Sequence, residues 1–193
     1  MVGPWLDLVN FVPVLKEKFT EYMCGRSDIT FSVGMCMTRS GDDVVNMSAV
    51  VENALENAKG RKNEKGEIVK NGLCCFGEIV SFDEYSDLQK EVEILNDYKE
   101  KYNLSTGYIY NLQKLCEQAE KTQKGSFIDA MWRSKLAYRT ARFIEQYASK
   151  EIDETCKTRI INELTEHFGA VIEKYTTKYK IALYTWLYQQ RGE

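Results

Sequence analysis

The sequence predicts an α+β protein in which a small mixed segment of strands and helices is followed by an all-helical bundle. Both prolines, Pro4 and Pro13, lie within the first fourteen residues. The proline-free remainder favours long helices, because a proline inside a helix removes a backbone hydrogen bond. Apolar residues recur at helical spacings of three and four over most of the chain, whereas only residues 29–37 and 73–76 have the composition of strands. These patterns place a boundary near residue 80, between domains spanning 1–80 and 81–193.

The composition is that of a globular chain and excludes several other classes. Its 193 residues correspond to about 1.3 average domains. The 8 Phe, 12 Tyr and 3 Trp provide enough apolar surface to exclude intrinsic disorder. A net charge of −3, from 26 basic and 29 acidic residues, excludes a globally basic nucleic-acid coat protein. No apolar run is long enough to span a membrane and the N-terminus lacks a signal-peptide pattern, so we expect a cytoplasmic protein.

The first eighty residues contain the predicted strands. Residues 5–23 have helical spacing, with Pro13 either starting the helix or kinking it. A strand over 29–37 follows, and Gly34 within it indicates that another backbone or a ligand approaches closely. We then expect a helix over 44–59, a loop or hairpin arm over 60–71, and a short strand over 73–76.

The remainder is predicted to form four helices. Ser81-Phe82-Asp83-Glu84 precedes a helix over 84–101, and Ser105 is the expected N-cap of the second helix. A third helix is predicted over 126–147, and an uninterrupted fourth over about 152–190. The fourth has an apolar seam at helical spacing throughout, formed by Ile161, Leu164, Phe168, Val171, Tyr175, Tyr179, Ala182 and Trp186. Four helices in about 110 residues form a bundle.

The cysteines and the single histidine do not predict a metal or nucleophile site. Six cysteines are scattered without a CxxC pair, and His167 is the only histidine in the chain. A zinc site needs closer spacing or more histidines. We therefore expect reduced thiols, as is usual for a cytoplasmic protein. Neither a catalytic triad nor a P-loop is recognisable.

Gly41-Asp42-Asp43 is the motif that suggests metal-dependent chemistry. Paired aspartates on a hairpin between two strands hold two divalent ions in polymerase and cyclase active sites. Here the pair is followed by a helical sequence rather than by a strand. We therefore interpret Asp42 or Asp43 as the N-cap of that helix.

Two groups of basic residues have a functional interpretation beside a structural one. Lys59 and Arg61 follow the end of a predicted helix, where cations complement the helix dipole or could hold a nucleotide phosphate. Lys135, Arg139 and Arg142 recur at i, i+4 and i+7 of a predicted helix. They form either a solvated, ion-paired face or a contact for a nucleic acid or an acidic partner.

Part of the chain resembles a GGDEF-type cyclase palm. A strand of the form T-x-S-x-G, here Thr30 to Gly34, is followed by a helix ending A-L-x-x-A-K, here Ala54 to Lys59. More of the chain resembles the large subunit of type III-A (Csm-type) CRISPR effector complexes. The segments that carry this resemblance are Val2-Gly3-Pro4-Trp5, Ser32-Val33-Gly34, Lys70-Asn71-Gly72-Leu73-Cys74-Cys75-Phe76-Gly77, Ser81-Phe82-Asp83-Glu84, Leu104-Ser105-Thr106-Gly107-Tyr108-Ile109-Tyr110 and Lys135-Leu136-Ala137-Tyr138.

The resemblance implies a fold, an activity and partners. It implies the second half of a ferredoxin-like palm that polymerises ATP, with Mg²⁺ or Mn²⁺, into cyclic oligoadenylates when the complex binds target RNA. It also implies a helical domain that packs against small helical subunits of a complex holding guide RNA. Ser32 and Gly34 match the strand beside the nucleotide, Lys59 matches a lysine that reaches the triphosphate, and Arg61 is a second cation.

The sequence departs from this family at its start. In the family a Gly-Gly-Asp-Asp hairpin immediately precedes the segment matched by Val2 to Trp5, and this sequence does not contain it. We expect the first palm half, both metal-binding aspartates and any HD nuclease domain to be missing, and another polypeptide to carry the missing half. The chain alone would then have no catalytic residues. A stand-alone nucleotidyl cyclase using Asp42 and Asp43, or a helical adaptor without a nucleotide role, remain alternatives.

Overall fold

A computed structural model of the protein describes residues 1–26, 28–38, 41–63, 66–147 and 153–191. The chain divides into two compact units, Met1–Lys90 (unit 1) and Glu91–Glu193 (unit 2). The division falls ten residues after the boundary expected from the sequence, inside one continuous helix. Unit 1 contains a three-stranded mixed sheet and unit 2 is helical. The prediction of an α+β segment followed by helices is therefore confirmed at this coarse level.

The first helix of unit 1 contains a proline. Helix α1 spans Trp5–Tyr22, so the alternative that it starts at Pro13 is wrong. Pro13 has no backbone N–H, and the Val9 carbonyl therefore lacks its usual intrahelical donor. The Tyr85 hydroxyl donates a hydrogen bond to this carbonyl over 3.1 Å, and the contact is buried. A side chain 76 positions away thus satisfies the group that the proline leaves without a donor.

The sheet consists of three short strands in the order β1-β2-β3. Strand β1, Val33–Gly34, is parallel to β2, Gly72–Cys75, with Val33 opposite Leu73. The predicted strand over 29–37 is thus shortened to two residues, and the Met35 N–H, just after β1, donates to the Cys74 carbonyl over 2.8 Å. Strand β3, Glu78–Ser81, pairs antiparallel with β2 and was not predicted.

A two-residue turn connects β2 to β3. Phe76 and Gly77 have φ values of 52° and 81°. Positive φ at both positions is the conformation of a type I′ hairpin turn, which glycine adopts readily and phenylalanine rarely.

The remaining helices of unit 1 begin at local capping signals. Helix α2 spans Val44–Lys59 and helix α3 spans Phe82–Tyr102, close to their predicted ranges. At the start of α3, the Glu84 N–H donates to the Ser81 hydroxyl over 3.1 Å, and the Ser81 N–H donates to the Glu84 carboxylate over 2.8 Å. This reciprocal pair is a capping box, which stabilises the first turn of a helix.

The described part of unit 2 contains four further α-helices, named α4, Thr106–Gln123; α5, Trp132–Tyr147; α6, Glu154–Tyr175; and α7, Lys180–Gln189. A 3₁₀ turn over Ile128–Met131 precedes α5, whose start therefore lies later than predicted. The Ser105 hydroxyl accepts from the Tyr108 N–H over 3.2 Å, which confirms Ser105 as the N-cap of α4. Ile152, the predicted start of the last helix, lies outside the described residues.

The prediction of one uninterrupted C-terminal helix is wrong. Helix α6 ends at Tyr175, a 3₁₀ turn spans Thr176–Tyr179, and α7 then begins. Thr176 has a φ of 47°, which a β-branched residue seldom adopts and which no helix can accommodate. After the break, α7 is buried on most of its faces. Its buried residues are Ile181, Ala182, Leu183, Thr185, Trp186 and Leu187.

All six cysteines are free, without a disulfide. Cys74, Cys75 and Cys116 are buried, whereas Cys24 and Cys156 are exposed. Among the described residues, no helix combines the length and apolar character that crossing a membrane requires.

Candidate functional site

Gly34 allows helix α2 to lie directly on strand β1. A Cβ atom at this position would lie 2.4 Å from the Leu55 backbone nitrogen and 2.8 Å from the Ala54 carbonyl carbon. No side chain fits there without moving the helix backbone. The close approach that the sequence predicted is therefore confirmed, and the approaching group is the backbone of α2.

Gly72 has the same role at the start of β2. A Cβ atom there would lie 2.9 Å from the Ala58 carbonyl oxygen and 3.2 Å from Cδ of Arg61. The last turn of α2 and the side chain of Arg61 thus lie against the amino end of β2. Two glycines on parallel neighbouring strands accordingly hold α2 close to the sheet.

A polar cluster lies where the two parallel strands begin. The Ser32 hydroxyl, just before β1, accepts from the Asn71 N–H, just before β2, over 3.4 Å. Lys16 of α1 donates from Nζ to the Asn71 Oδ1 over 3.2 Å. Its ammonium also lies 5.6 Å and 5.0 Å from the ring centroids of Phe31 and Phe82, within the range of cation–π interactions.

Sequence reasoning missed Lys16 as a member of this cluster. Lys16 and Asn71 are 55 positions apart, and nothing in the local pattern of α1 distinguishes Lys16 from Lys18, the other lysine of that helix. Asn71 has a φ of 103°, which glycine prefers and asparagine tolerates better than most residues.

Arg61 contributes a second cation beside this cluster. Its Nε is buried, and no hydrogen-bond acceptor for it lies within the described part of the chain. The guanidinium follows the C-terminal end of α2, where a positive charge is favourable. A buried donor without an acceptor costs about 1–3 kcal/mol.

Lys59 is the third cation, and it is held only weakly. Its Nζ lies 2.7 Å from the Glu56 carboxylate, and the two side chains are 43% and 62% exposed. An exposed pair of this kind contributes about 0.2–1 kcal/mol. Lys59 can therefore turn toward another anion at small cost. We name Lys16, Ser32, Arg61 and Asn71 the cationic edge, and Lys59 lies two residues before Arg61.

The cationic edge has the chemistry of anion binding rather than of acid–base catalysis. It combines ammonium and guanidinium donors with a hydroxyl and an amide, which are the groups that recognise phosphate oxygens. In the described ranges, no group of three His, Cys, Asp or Glu side chains converges as metal ligands.

Asp43 caps helix α2. Its carboxylate accepts from the Val45 N–H over 3.3 Å, and its own backbone is extended, as is typical of an N-cap. The interpretation of Gly41-Asp42-Asp43 as a helix start is therefore confirmed at Asp43.

The three basic residues predicted on α5 have different surroundings. Lys135 is half-buried and donates to the Gln118 side chain of α4 over 3.2 Å. Arg139 is also half-buried, and its Nη1 has no hydrogen-bond acceptor among the described residues. Arg142 is exposed. Only one of the three therefore lies fully in solvent.

His167 belongs to a structural pair within unit 2. Its Nε2 lies 3.0 Å from the Glu91 carboxylate, with side chains 22% and 14% exposed. The Tyr98 ring packs edge-on against the imidazole at 5.4 Å, and burial raises the pKa of Tyr98 to about 12. The pair connects α6 to α3 beneath an aromatic side chain.

No protein-family model matches the chain, and no curated protein or solved structure shows a significant match.

Proposed function

We propose that this chain is part of the large subunit of a type III-A CRISPR effector complex and acts in the cytoplasm. In this proposal unit 1 is the second half of a ferredoxin-like palm and lines a site for ATP, with Mg²⁺ or Mn²⁺ held by the other half. Unit 2 docks onto the small helical subunits, and guide RNA and target RNA are bound by the whole complex.

The observation that carries the proposal is the convergence of Ser32, Asn71 and Arg61 at one end of the parallel strands. Ser32 and Asn71 are joined by a hydrogen bond, and Arg61 packs on Gly72, the next residue. Lys59 lies two residues before Arg61 and is only weakly paired. Ser32 and Arg61, two of the four residues assigned to the nucleotide by resemblance, thus lie at one polar edge, Lys59 lies two residues before Arg61 in the chain, and Gly34 supports the edge through packing.

The exposed surface of α2 supports a second palm half as partner. In the described part of unit 1, Val44 and Val45 at the start of α2 are 74% and 70% exposed. Val51, two turns after Val44 and on the same face of the helix, is 39% exposed. Apolar side chains clustered in this way on a helix indicate a surface that another element covers. We propose that this element is the palm half that contains the Gly-Gly-Asp-Asp hairpin.

The proposal is tested by measuring ATP binding to the chain with fluorescent ATP and by competition with unlabelled ATP. We expect Arg61→Glu and Lys59→Glu each to weaken binding at least tenfold, because each places a carboxylate beside the phosphates. The matched control is Lys18→Glu, which reverses an exposed lysine whose ion pair, to Glu21, is also of the i,i+3 type. Unchanged affinity in both variants would contradict a nucleotide role and favour the helical adaptor.

A separate assay distinguishes the stand-alone cyclase. ATP turnover by the purified chain with Mg²⁺ or Mn²⁺ would require catalytic aspartates, and we expect none because Asp43 serves as a helix cap. Turnover that disappears in Asp42→Ala would contradict the proposed assignment and establish the cyclase alternative.

A further inference from the structure

Helices α4 and α5 of unit 2 are antiparallel and meet along one seam. Near the start of α4, the Tyr108 hydroxyl shares a hydrogen bond of 2.7 Å with the Thr140 hydroxyl in the second half of α5. Near the other end of the seam, the Lys135 ammonium of α5 donates to the Gln118 side chain of α4 over 3.2 Å. Lys135 and Gln118 are both half-buried, so this end of the seam reaches the surface.

Positively charged side chains lie on both helices along this seam. On α4, the exposed Lys114 and Lys121 lie four positions before and three positions after Gln118, on the same face of the helix. On α5, two arginines follow Lys135 after four and seven positions, again on one face. We name these five cations the basic seam: Lys114, Lys121, Lys135, Arg139 and Arg142.

The charge of the basic seam is not neutralised within the described part of the chain. None of the five cations forms an ion pair there, and the hydrogen bond of Lys135 goes to a neutral amide. The nearby Lys124 and Arg133 are each paired with a glutamate and do not belong to the seam. The one acidic residue of α5 is Glu145, which follows the last cation of the seam. The seam therefore attracts anions, although the whole chain has a net charge of −3.

An exposed aromatic ring lies among these cations. Tyr138 is one turn after Lys135 and one turn before Arg142, and it is 63% exposed. Cations that hold phosphates, combined with aromatic rings that stack on bases, are the groups that bind single-stranded nucleic acids. Stacking on a side chain requires an unpaired base, so this combination favours a single strand over a duplex.

We infer that the basic seam and Tyr138 bind a single-stranded nucleic acid. The cations contact successive phosphates of its backbone, and the Tyr138 ring stacks on one of its bases. The α5 side of the seam, from Lys135 to Arg142, is about 10 Å long, so the seam holds a short run of nucleotides. This inference goes beyond the proposed function, which assigns RNA only to the complex as a whole, and it requires neither ATP nor a palm.

The composition of the seam favours a nucleic acid over an acidic protein. The centre of a protein interface is apolar and depleted in charged residues. The middle of this seam consists instead of Lys135, Gln118 and Arg139, whereas the neighbouring Leu136 is buried in the core and offers a partner no contact.

The test is titration of the full chain into a fluorescein-labelled 12-nucleotide oligouridylate, followed by anisotropy at several salt concentrations. The logarithm of the affinity should fall with the logarithm of the salt concentration with a slope of about −3, as expected for four or five phosphate contacts. The triple variant Lys114→Gln, Lys121→Gln, Arg142→Gln should weaken binding at least tenfold and make the slope shallower by about 2. Tyr138→Ala should weaken binding at least fivefold without changing the slope, because it removes stacking and no charge.

The matched control neutralises three cations of the same unit that are already ion-paired, in Lys124→Gln, Arg133→Gln, Lys157→Gln. It changes the net charge by the same amount, so it separates the seam from the overall charge, and its affinity should stay within threefold of that of the natural chain. Circular dichroism checks that all variants retain their helix content. Binding of fluorescent ATP should be unchanged in the seam variants, so a failure of this inference is distinguishable from a failure of the proposed nucleotide role.

An oligodeoxythymidylate of the same length distinguishes RNA from DNA. Binding of either oligonucleotide through the seam supports the inference, and the tighter of the two identifies the preferred strand. The inference is overturned if neither binds, if the two triple variants lose affinity equally, or if Tyr138→Ala binds as the natural chain does. It is also overturned if duplex RNA or a 12-residue polyglutamate peptide binds the seam more tightly than the single strands do.

Discussion

The two units differ in how much of their apolar surface they bury themselves. Among the described residues of unit 2, the buried apolar side chains outnumber the large exposed ones by twenty-five to five. In the described part of unit 1 the two groups are equal, at eleven each. The exposed residues of unit 2 include the turn Phe127–Met131, whereas those of unit 1 are spread over α1, α2 and the loops.

This difference shows that the two units are stabilised in different ways. Unit 2 has a core that can stabilise itself, since α4 alone buries Tyr108, Ile109, Leu112, Leu115, Cys116 and Ala119. Unit 1 depends on a few specific contacts, such as the fit of α2 on Gly34 and Gly72 and the hydrogen bond from Tyr85 to Val9. The cationic edge lies in unit 1, the unit with the smaller core.

The largest expected loss of stability comes from a substitution in the core of unit 2. Phe168 is fully buried, with its ring 5.9 Å from those of both Tyr98 and Tyr108. We expect Phe168→Ala to lower the free energy of unfolding of unit 2 by about 3–5 kcal/mol, because it leaves a cavity between these rings. Urea unfolding followed by tryptophan fluorescence measures this in a Trp5→Phe background, where both remaining tryptophans lie in unit 2.

The control for this prediction is Tyr138→Ala, an aromatic truncation at a position that is 63% exposed in the same unit. Its effect should stay within about 0.5 kcal/mol, as is usual for surface positions. Equal losses in the two variants would contradict the dense core described for unit 2.

A smaller loss of stability is expected in unit 1 from Tyr85→Phe. The variant leaves the buried Val9 carbonyl without a donor, which costs about 1–3 kcal/mol. The rate at which the buried Cys75 thiol is alkylated, followed by peptide mass spectrometry, reports the opening of unit 1.

Pro13→Ala provides a matched background, because alanine at position 13 restores the N–H that bonds to the Val9 carbonyl. In that background Tyr85→Phe should lower the stability of unit 1 clearly less than it does in the natural sequence. An identical cost in both backgrounds would show that Tyr85 does not compensate for the proline.

The smallest expected effect is a loss of stability at alkaline pH. Burial raises the pKa of the Cys75 thiol from 9.0 to about 12. The folded state therefore favours the neutral thiol, so this contribution to stability is complete below pH 9 and is lost as the pH rises from 9 to 12. Between pH 8 and pH 10 the loss is about 1 kcal/mol. Chemical denaturation at the two pH values measures it.

Cys75→Ala should remove this part of the pH dependence, whereas Cys156→Ala, at an exposed position, should retain it. If both variants lose stability equally between pH 8 and pH 10, the buried thiol is not responsible.

Local signals explain which elements could be predicted. The starts of α2, α3 and α4 were recognisable because Asp43, Ser81 and Ser105 each bond to a group within three residues. The ends of elements were less predictable. Strand β3 was missed because four residues with two adjacent apolar side chains do not distinguish a strand from a helical segment. The break at Thr176 was missed because the apolar seam continues through it.

The candidate site likewise contains residues that the sequence predicted and residues that it did not. Lys59 and Arg61 were recognisable as cations at a helix end and Gly34 by its place in a strand, whereas Ser32 was assigned only by the resemblance. Their relation to Lys16 and Asn71 was not recognisable, because hydrogen bonds spanning 39 and 55 positions leave no periodic trace in the sequence. The exposed turn at Phe127 and Ile128 was also missed, because apolar residues beside a predicted helix read as core.

The sequence by itself determined the helix starts, the reduced cysteines and the division into a mixed segment and a helical one, because these depend on residue type and on spacings of a few positions. Only the tertiary structure decided that α2 rests on Gly34 and Gly72, that Tyr85 completes the hydrogen bonding of α1, and that Phe127 and Ile128 face solvent. Each of these depends on segments far apart in the chain, and their meeting is set by packing and hydrogen-bond satisfaction rather than by local pattern.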